Sequence, residues 1–296
     1  MNIPFQIYSP EEEIIDPRFK TKELSVFIKR DDKIHPFISG NKWRKLKHQL
    51  QQAKDQSINY LVTFGGAWSN HLLATASACA QFGFSSTGYV RGEEIHNPVL
   101  EMCKLFGMEL RFVDRETYRD KRAIFKRNHN EQNSLFIDEG GKSELGLKGC
   151  SEIIDELQQE YDHIFVASGT GTTVAGIQQG VQFNMLTTKV HSIPVLKGAE
   201  FLKEEFKTWG VDPEKIILHL DYHFSGYAKV KPELIAFIKS FVSLTGIMIE
   251  PTYTGKLLYG LYDLIEKDYF KPNSKILVIH TGGITGLLGH LDHFRV

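Results

Sequence analysis

The chain has 296 residues, enough for about two domains of ordinary size. Its 42% hydrophobic and 24% charged residues, with a net charge of -1, describe a globular protein without a dominant electrostatic partner, which argues against nucleic acid and anionic membrane as targets. Cys79, Cys103 and Cys150 are odd in number and lack CxxC spacing, so neither a disulfide framework nor a metal site is expected.

The opening MNIPFQIYSPEEEIID has no basic stretch followed by an apolar one, and no apolar run reaches bilayer-spanning length, so the cytoplasm is the expected location. LSVFIKR (24–30) reads as a strand, and WRKLKHQLQQAKDQ (43–56) as an amphipathic helix. NYLVTFGG (59–66) and STGYVRG (86–92) are strand-like, NPVLEMCKLFG (97–107) is helical, and ELRFVD (109–114) and SLFIDEGG (134–141) are again strand-like. A helix is predicted over SEIIDELQQEY (151–161), strands over HIFVASG (163–169) and KVHSIPVL (189–196), a helix over PELIAFIKSFVSLTG (232–246), and a strand at KILVIHTGG (275–283). This alternation predicts an α/β protein with mainly parallel sheets. In such sheets ligands bind beyond the carboxyl ends of strands, where a glycine-rich turn enters a helix.

The turn Ser168-Gly169-Thr170-Gly171-Thr172-Thr173, with a helix expected from near Val174, has the form of a phosphate cradle. Val174 occupies the third glycine position of G-x-G-x-x-G and no Gly-Lys-Ser/Thr follows, so the dinucleotide and Walker patterns fail. An ordinary strand-to-helix turn stays open as the alternative. Lys42 follows Ser39-Gly40-Asn41, turn residues at a helix start whose dipole disfavours an ammonium, and an amine must be neutral to attack a carbonyl. Between Gly65 and His71, Ser69 or Asn70 reads either as a helix cap or as part of a carboxylate pocket built on the same helix-start amides.

These segments, with Glu250-Pro251-Thr252-Tyr253-Thr254-Gly255-Lys256 and His280-Thr281-Gly282-Gly283, stand in an order that resembles one family. The chain is similar to the 1-aminocyclopropane-1-carboxylate deaminase and D-cysteine desulfhydrase family of pyridoxal-phosphate enzymes, from about residue 15 to the last helix. The resemblance implies a tryptophan synthase β-like fold of type II: two open parallel-sheet α/β domains with pyridoxal 5'-phosphate in the cleft between them. The expected division is a larger cofactor-binding domain of residues 1–46 plus 157–296 and a smaller domain of residues 47–156. Lys42 then matches the lysine that carries the cofactor and moves the substrate α-proton. Asn70 matches the partner of the cofactor's phenolic oxygen, and Ser69 with the backbone at His71 matches the holder of the substrate carboxylate. Ser168, Gly169, Thr170, Gly171, Thr172 and Thr173 match the phosphate cradle. Tyr227 and Tyr253 match two tyrosines facing the substrate, and Gly282 and Gly283 match a turn lining the pyridine edge.

Trp68 stands where the family pattern has glutamine, which bears on the substrate pocket. Thr254 stands where an acidic residue would keep the pyridine nitrogen protonated. A hydroxyl there suits a weaker electron sink, sufficient when thiolate leaves from the β-carbon. The reading is therefore a lyase acting on a small amino acid, with D-cysteine giving pyruvate, ammonia and sulfide. The alternative is ring-opening deamination of 1-aminocyclopropane-1-carboxylate to 2-oxobutanoate and ammonia. A cofactor-binding protein without turnover and a nicotinamide oxidoreductase are the readings from other classes. A homodimer is expected from the resemblance alone.

Overall fold

The computed structural model describes residues 5–295. In chain order it has β1 (Glu11–Glu13), α1 (Pro17–Thr21), β2 (Ser25–Lys29), α2 (Asn41–Asp55), β3 (Tyr60–Gly66), α3 (Asn70–Phe82), β4 (Ser85–Arg91), α4 (Pro98–Leu105), β5 (Glu109–Val113), α5 (Lys121–Asn128) and β6 (Ser134–Ile137). There follow α6 (Glu144–Asp155), β7 (His163–Ser168), α7 (Thr172–Phe183), β8 (Lys189–Pro194), α8 (Leu202–Thr208), β9 (Ile216–Leu218), α9 (Pro232–Thr245), α10 (Thr254–Glu266) and β10 (Lys275–Ile279). Short 3-10 turns close the chain over residues 284–294.

Two sheets organise these elements. The larger has the order β1-β2-β10-β7-β8-β9, parallel throughout except for β1, which pairs antiparallel with β2 at the edge. The smaller, β5-β4-β3-β6, is wholly parallel and is built from the chain between β2 and β7. The central strands β7 and β10 are apolar on both faces because helices cover both. Phe165 and Ala167 face a core shared with α9 and α10, while Ile164 and Val166 face a core shared with α6 and α7.

The helix expected at 151–161 is displaced: α6 starts at Glu144, where Ser143 Oγ accepts from Gly146 N–H (2.9 Å), and it ends at Asp155. Two glycines in its first half, Gly146 and Gly149, hide the helical pattern from a reading of the sequence. The expected cut after residue 46 passes through α2. Trp43, Leu46, Leu50 and Ala53 of that helix pack with Leu61, Ala74 and Ile137 of the smaller unit. Leu147, Ile153 and Ile154 of α6 pack into the core of the larger sheet. By packing, we propose that all of α2 goes with the smaller domain and all of α6 with the larger. Among the described residues no helix is long and apolar enough to cross a membrane.

Candidate active site

The turn before α2 rests on the turn after β10. Gly40 has φ 58°, and a Cβ on it would lie 1.9 Å from the Thr281 carbonyl oxygen, so this crossing of two backbones admits only glycine. Asn41 N–H donates to Thr281 O (3.2 Å), and Gly283 N–H to Ser39 Oγ (3.4 Å). The turn presents Lys42, whose Nζ donates to Asn41 Oδ1 (2.9 Å); Asn41 Nδ2 in turn donates to Thr173 Oγ1 on α7 (2.9 Å). Burial lowers the Lys42 pKa to about 7, with the charge of Lys45 acting in the same sense and Cys150 and Glu250 opposing it. Desolvation is the largest cause, and the neighbouring lysine adds to it. A substantial neutral fraction of Lys42 follows near neutral pH.

At the start of α7, Gly171 has φ 80° and no side chain caps the helix. The first turn has no acidic residue, and Thr172 and Thr173 are buried there. Thr170 Oγ1 lies 3.4 Å from Thr172 Oγ1. Uncapped helix-start amides beside threonine hydroxyls are suited to an anion. Ser168 is turned elsewhere, its hydroxyl 2.6 Å from Ser192 Oγ inside the sheet. Tyr253 covers Gly169, whose Cβ would meet the tyrosine hydroxyl at 3.4 Å. Its hydroxyl is 3.5 Å from that of Tyr227, with the two rings edge to face.

Ser69 caps α3, its Oγ accepting from Leu72 N–H (3.3 Å). Asn70 packs against Gly283 and accepts from Thr285 Oγ1 (3.2 Å), which ties α3 to the turn after β10. The His71 ring is buried against β3, with Nε2 2.8 Å from Thr63 Oγ1 and Nδ1 unpaired. Burial, then the charges of Lys42 and Lys45, hold that imidazole well below its ordinary pKa, so it is neutral. Trp68 is 40% exposed and stacks over Gly289, where a Cβ would come within 3.0 Å of the indole.

Glu250 lies just ahead of α10. Its buried carboxylate accepts from the N–H groups of Thr252 (2.7 Å), Tyr253 (2.6 Å) and Thr254 (2.9 Å), closing the start of α10. Burial raises its pKa despite these bonds. Thr254 is also buried, and its hydroxyl accepts from Glu250 N–H (2.9 Å). Glu250 lies three residues ahead of the N-cap position Tyr253, outside the cap and first-turn positions that a sequence pattern marks. Contacts thus link Lys42, Asn41, Thr173, Ser39, Gly282, Gly283 and Asn70, and separately Gly169, Tyr253 and Tyr227. The hydroxyls of Ser168 and Thr254 are engaged within the protein.

Residues 13–282 match the family described as "Pyridoxal-phosphate dependent enzyme". The chain belongs to this family. It is 31% identical to a bifunctional D-cysteine desulfhydrase/1-aminocyclopropane-1-carboxylate deaminase of Arabidopsis thaliana, covering 90% of this chain and 74% of the relative. It is 28% identical to a D-cysteine desulfhydrase of Klebsiella pneumoniae, covering 90% and 89%. A solved structure described as an ACC deaminase homologue superposes with a TM-score of 0.84 at 27% identity, covering 98% of this chain and 94% of that one. The fold is accordingly that of type II pyridoxal-phosphate enzymes.

The residues present fit the cofactor of the family. A lysine made acidic by burial suits a covalent link to an aldehyde, and the uncapped start of α7 suits a phosphate. The two features are joined by the Asn41–Thr173 hydrogen bond.

Proposed function

We propose that this pyridoxal-phosphate enzyme eliminates the thiol of D-cysteine, giving pyruvate, ammonia and sulfide. Lys42 would hold the cofactor through its Nζ, and as a free, neutral amine it would take the substrate α-proton. The start of α7, from Gly169 to Thr173, would hold the phosphate, with Ser168 bracing the strand beneath. Asn70 would meet the cofactor's phenolic oxygen, and Gly282 and Gly283 would line the pyridine edge. Ser69 and the first backbone amides of α3, including that of His71, hold the substrate carboxylate, with Trp68 at the rim. The hydroxyls of Tyr227 and Tyr253 face the β-substituent. Pyridoxal phosphate, when bound, supplies an electron sink for the pair left by the α-proton.

The observation that carries the choice of reaction is Thr254. A hydroxyl, not a carboxylate, stands at this position at the head of α10, and the nearby Glu250 is committed to three backbone amides. A modest sink favours substrates that discharge the electron pair at once by losing a β-substituent. The second reading, ring opening of 1-aminocyclopropane-1-carboxylate, is favoured by the Arabidopsis relative, whose name joins both activities. Steady-state assays decide between them: D-cysteine should release sulfide and pyruvate, and 1-aminocyclopropane-1-carboxylate should give little 2-oxobutanoate. Faster turnover of the cyclopropane would establish the second reading. The proposal includes a homodimer in the cytoplasm with a small amino acid as its substrate; a sedimentation mass of one chain would remove the dimer.

A further inference from the structure

The segment between β9 and α9 carries Tyr227 in a backbone that its own sequence does not favour. Phe224 (φ 52°), Ser225 (φ 73°) and Ala228 (φ 53°) all lie in the left-handed region, as does Gly226 (φ 128°). Non-glycine residues so placed are strained, so contacts outside the loop must hold them. Phe224 supplies one, packing edge to face on Tyr259 of α10 (4.9 Å between centroids).

The other comes from Lys256, also on α10 and fully buried. Its Nζ donates to His223 O (3.0 Å) and Gly226 O (2.8 Å), the two carbonyls that bracket Phe224 and Ser225. Among the described residues no carboxylate lies within ion-pair distance of it; Glu250 acts only through its field. Burying an ammonium against neutral carbonyls is costly, and an aliphatic side chain of the same length would fill the space without that cost. Lys256 stands three residues after Tyr253, so one helical turn holds both Tyr253 and the anchor of the Tyr227 loop. We infer that Lys256 is a positioning residue, clamping residues 223–226 so that the Tyr227 hydroxyl meets that of Tyr253 over Gly169. This rests on the reading that both tyrosines face the substrate.

The test is Lys256→Met, made alone and with Tyr227→Phe, in the cofactor-loaded enzyme. Lys256→Met should lower kcat for D-cysteine by about tenfold or more with KM little changed, keep the cofactor absorbance, and add no further loss to that of Tyr227→Phe. Amide hydrogen exchange over 224–229 should accelerate about tenfold or more, with α10 still protected, in both loaded and cofactor-free protein. Losses that multiply in the double variant, or an unchanged exchange rate in the loop, would overturn the inference. If Tyr227→Phe alone leaves turnover of both D-cysteine and 1-aminocyclopropane-1-carboxylate intact, the assignment of Tyr227 to the substrate fails, and the positioning role fails with it even where exchange shows Lys256 holding the loop. Lys256→Gln, too short to reach both carbonyls, provides the same measurements should the methionine variant not fold.

Discussion

Replacing Asp31 by asparagine should strike the ion pair that fastens the lysine-bearing helix. Arg44, one turn into α2, is fully buried and donates to both oxygens of the equally buried Asp31 at 2.6 Å, and to Glu156 at 2.8 and 2.9 Å. Asp31 also accepts from Ser9 Oγ (2.6 Å), and its backbone carbonyl accepts the Gly40 N–H (3.1 Å), two residues from Lys42. Burial alone would raise the Asp31 pKa, but the guanidinium and these hydrogen bonds bring it below the ordinary aspartate value. Asparagine keeps the shape, loses the charge and sets an N–H₂ against a guanidinium that has only donors. The buried cation is left with Glu156, which is partly exposed, so the cost should be about 3–5 kcal/mol out of a typical total of about 5–15 kcal/mol. Urea unfolding followed by tryptophan fluorescence should show the midpoint falling by about 1–2 M for a slope near 3 kcal/mol/M. The double variant Asp31→Leu/Arg44→Met removes both charges and should be less damaged than Asp31→Asn. A shift below about 0.3 M for Asp31→Asn, or a double variant worse than it, would refute the reasoning.

Three further outcomes are expected. His163, His191 and His219 stack across β7, β8 and the end of β9, linked ring to ring at 2.9 and 3.0 Å, and burial lowers their pKa values to about 4, 2 and 4. The unfolded chain takes protons at these sites near 6.5 while the folded one refuses them, so stability is whole above that pH and drains away as pH falls toward 4; His191→Phe should flatten unfolding midpoints across this window. In cofactor-free protein, an amine-acylating reagent should modify Lys42 with a rate rising through pH about 7, and peptide mapping after borohydride reduction of loaded protein should place the pyridoxyl group on Lys42, not Lys45 or Lys256. Gly171→Val should weaken cofactor retention on dialysis, and it should also cost stability, because a Cβ there lies 3.0 Å from Leu202 and Phe206 at a φ of 80°; a fully coloured variant would place the phosphate elsewhere.

What the sequence made legible follows the physics of each element. Strands buried on both faces, such as 163–168 and 275–279, stand out as continuous apolar runs, and α2 shows a clear apolar stripe. By contrast α3, NHLLATASACAQF, is buried nearly all round and has no polar face to give it a period. The edge strand β1 is three glutamates held by pairing with β2 and by contacts of Glu11 with Tyr161 and of Glu12 with Arg30, which no local pattern announces. The site was readable where glycines mark backbone crossings, as at Gly40 and Gly171. It was unreadable where a charge is buried: Glu250, Lys256, Asp31 and Arg44 are written with the same letters as solvated residues, and only their three-dimensional neighbours separate them.

The strand order of the larger sheet has a bearing on how the protein is made. β10 lies in the middle of that sheet, between β2 and β7, yet a ribosome adds it after every other strand. The smaller sheet is closed by contacts within residues 60–137 and is able to form while the chain is still being extended. The larger sheet must wait as two separate pieces until residues 275–279 are threaded between them, and the turn that seats Lys42 is complete only after that. A nascent chain stalled or clipped before residue 275 would therefore hold an exposed pair of strand edges and no place for its cofactor.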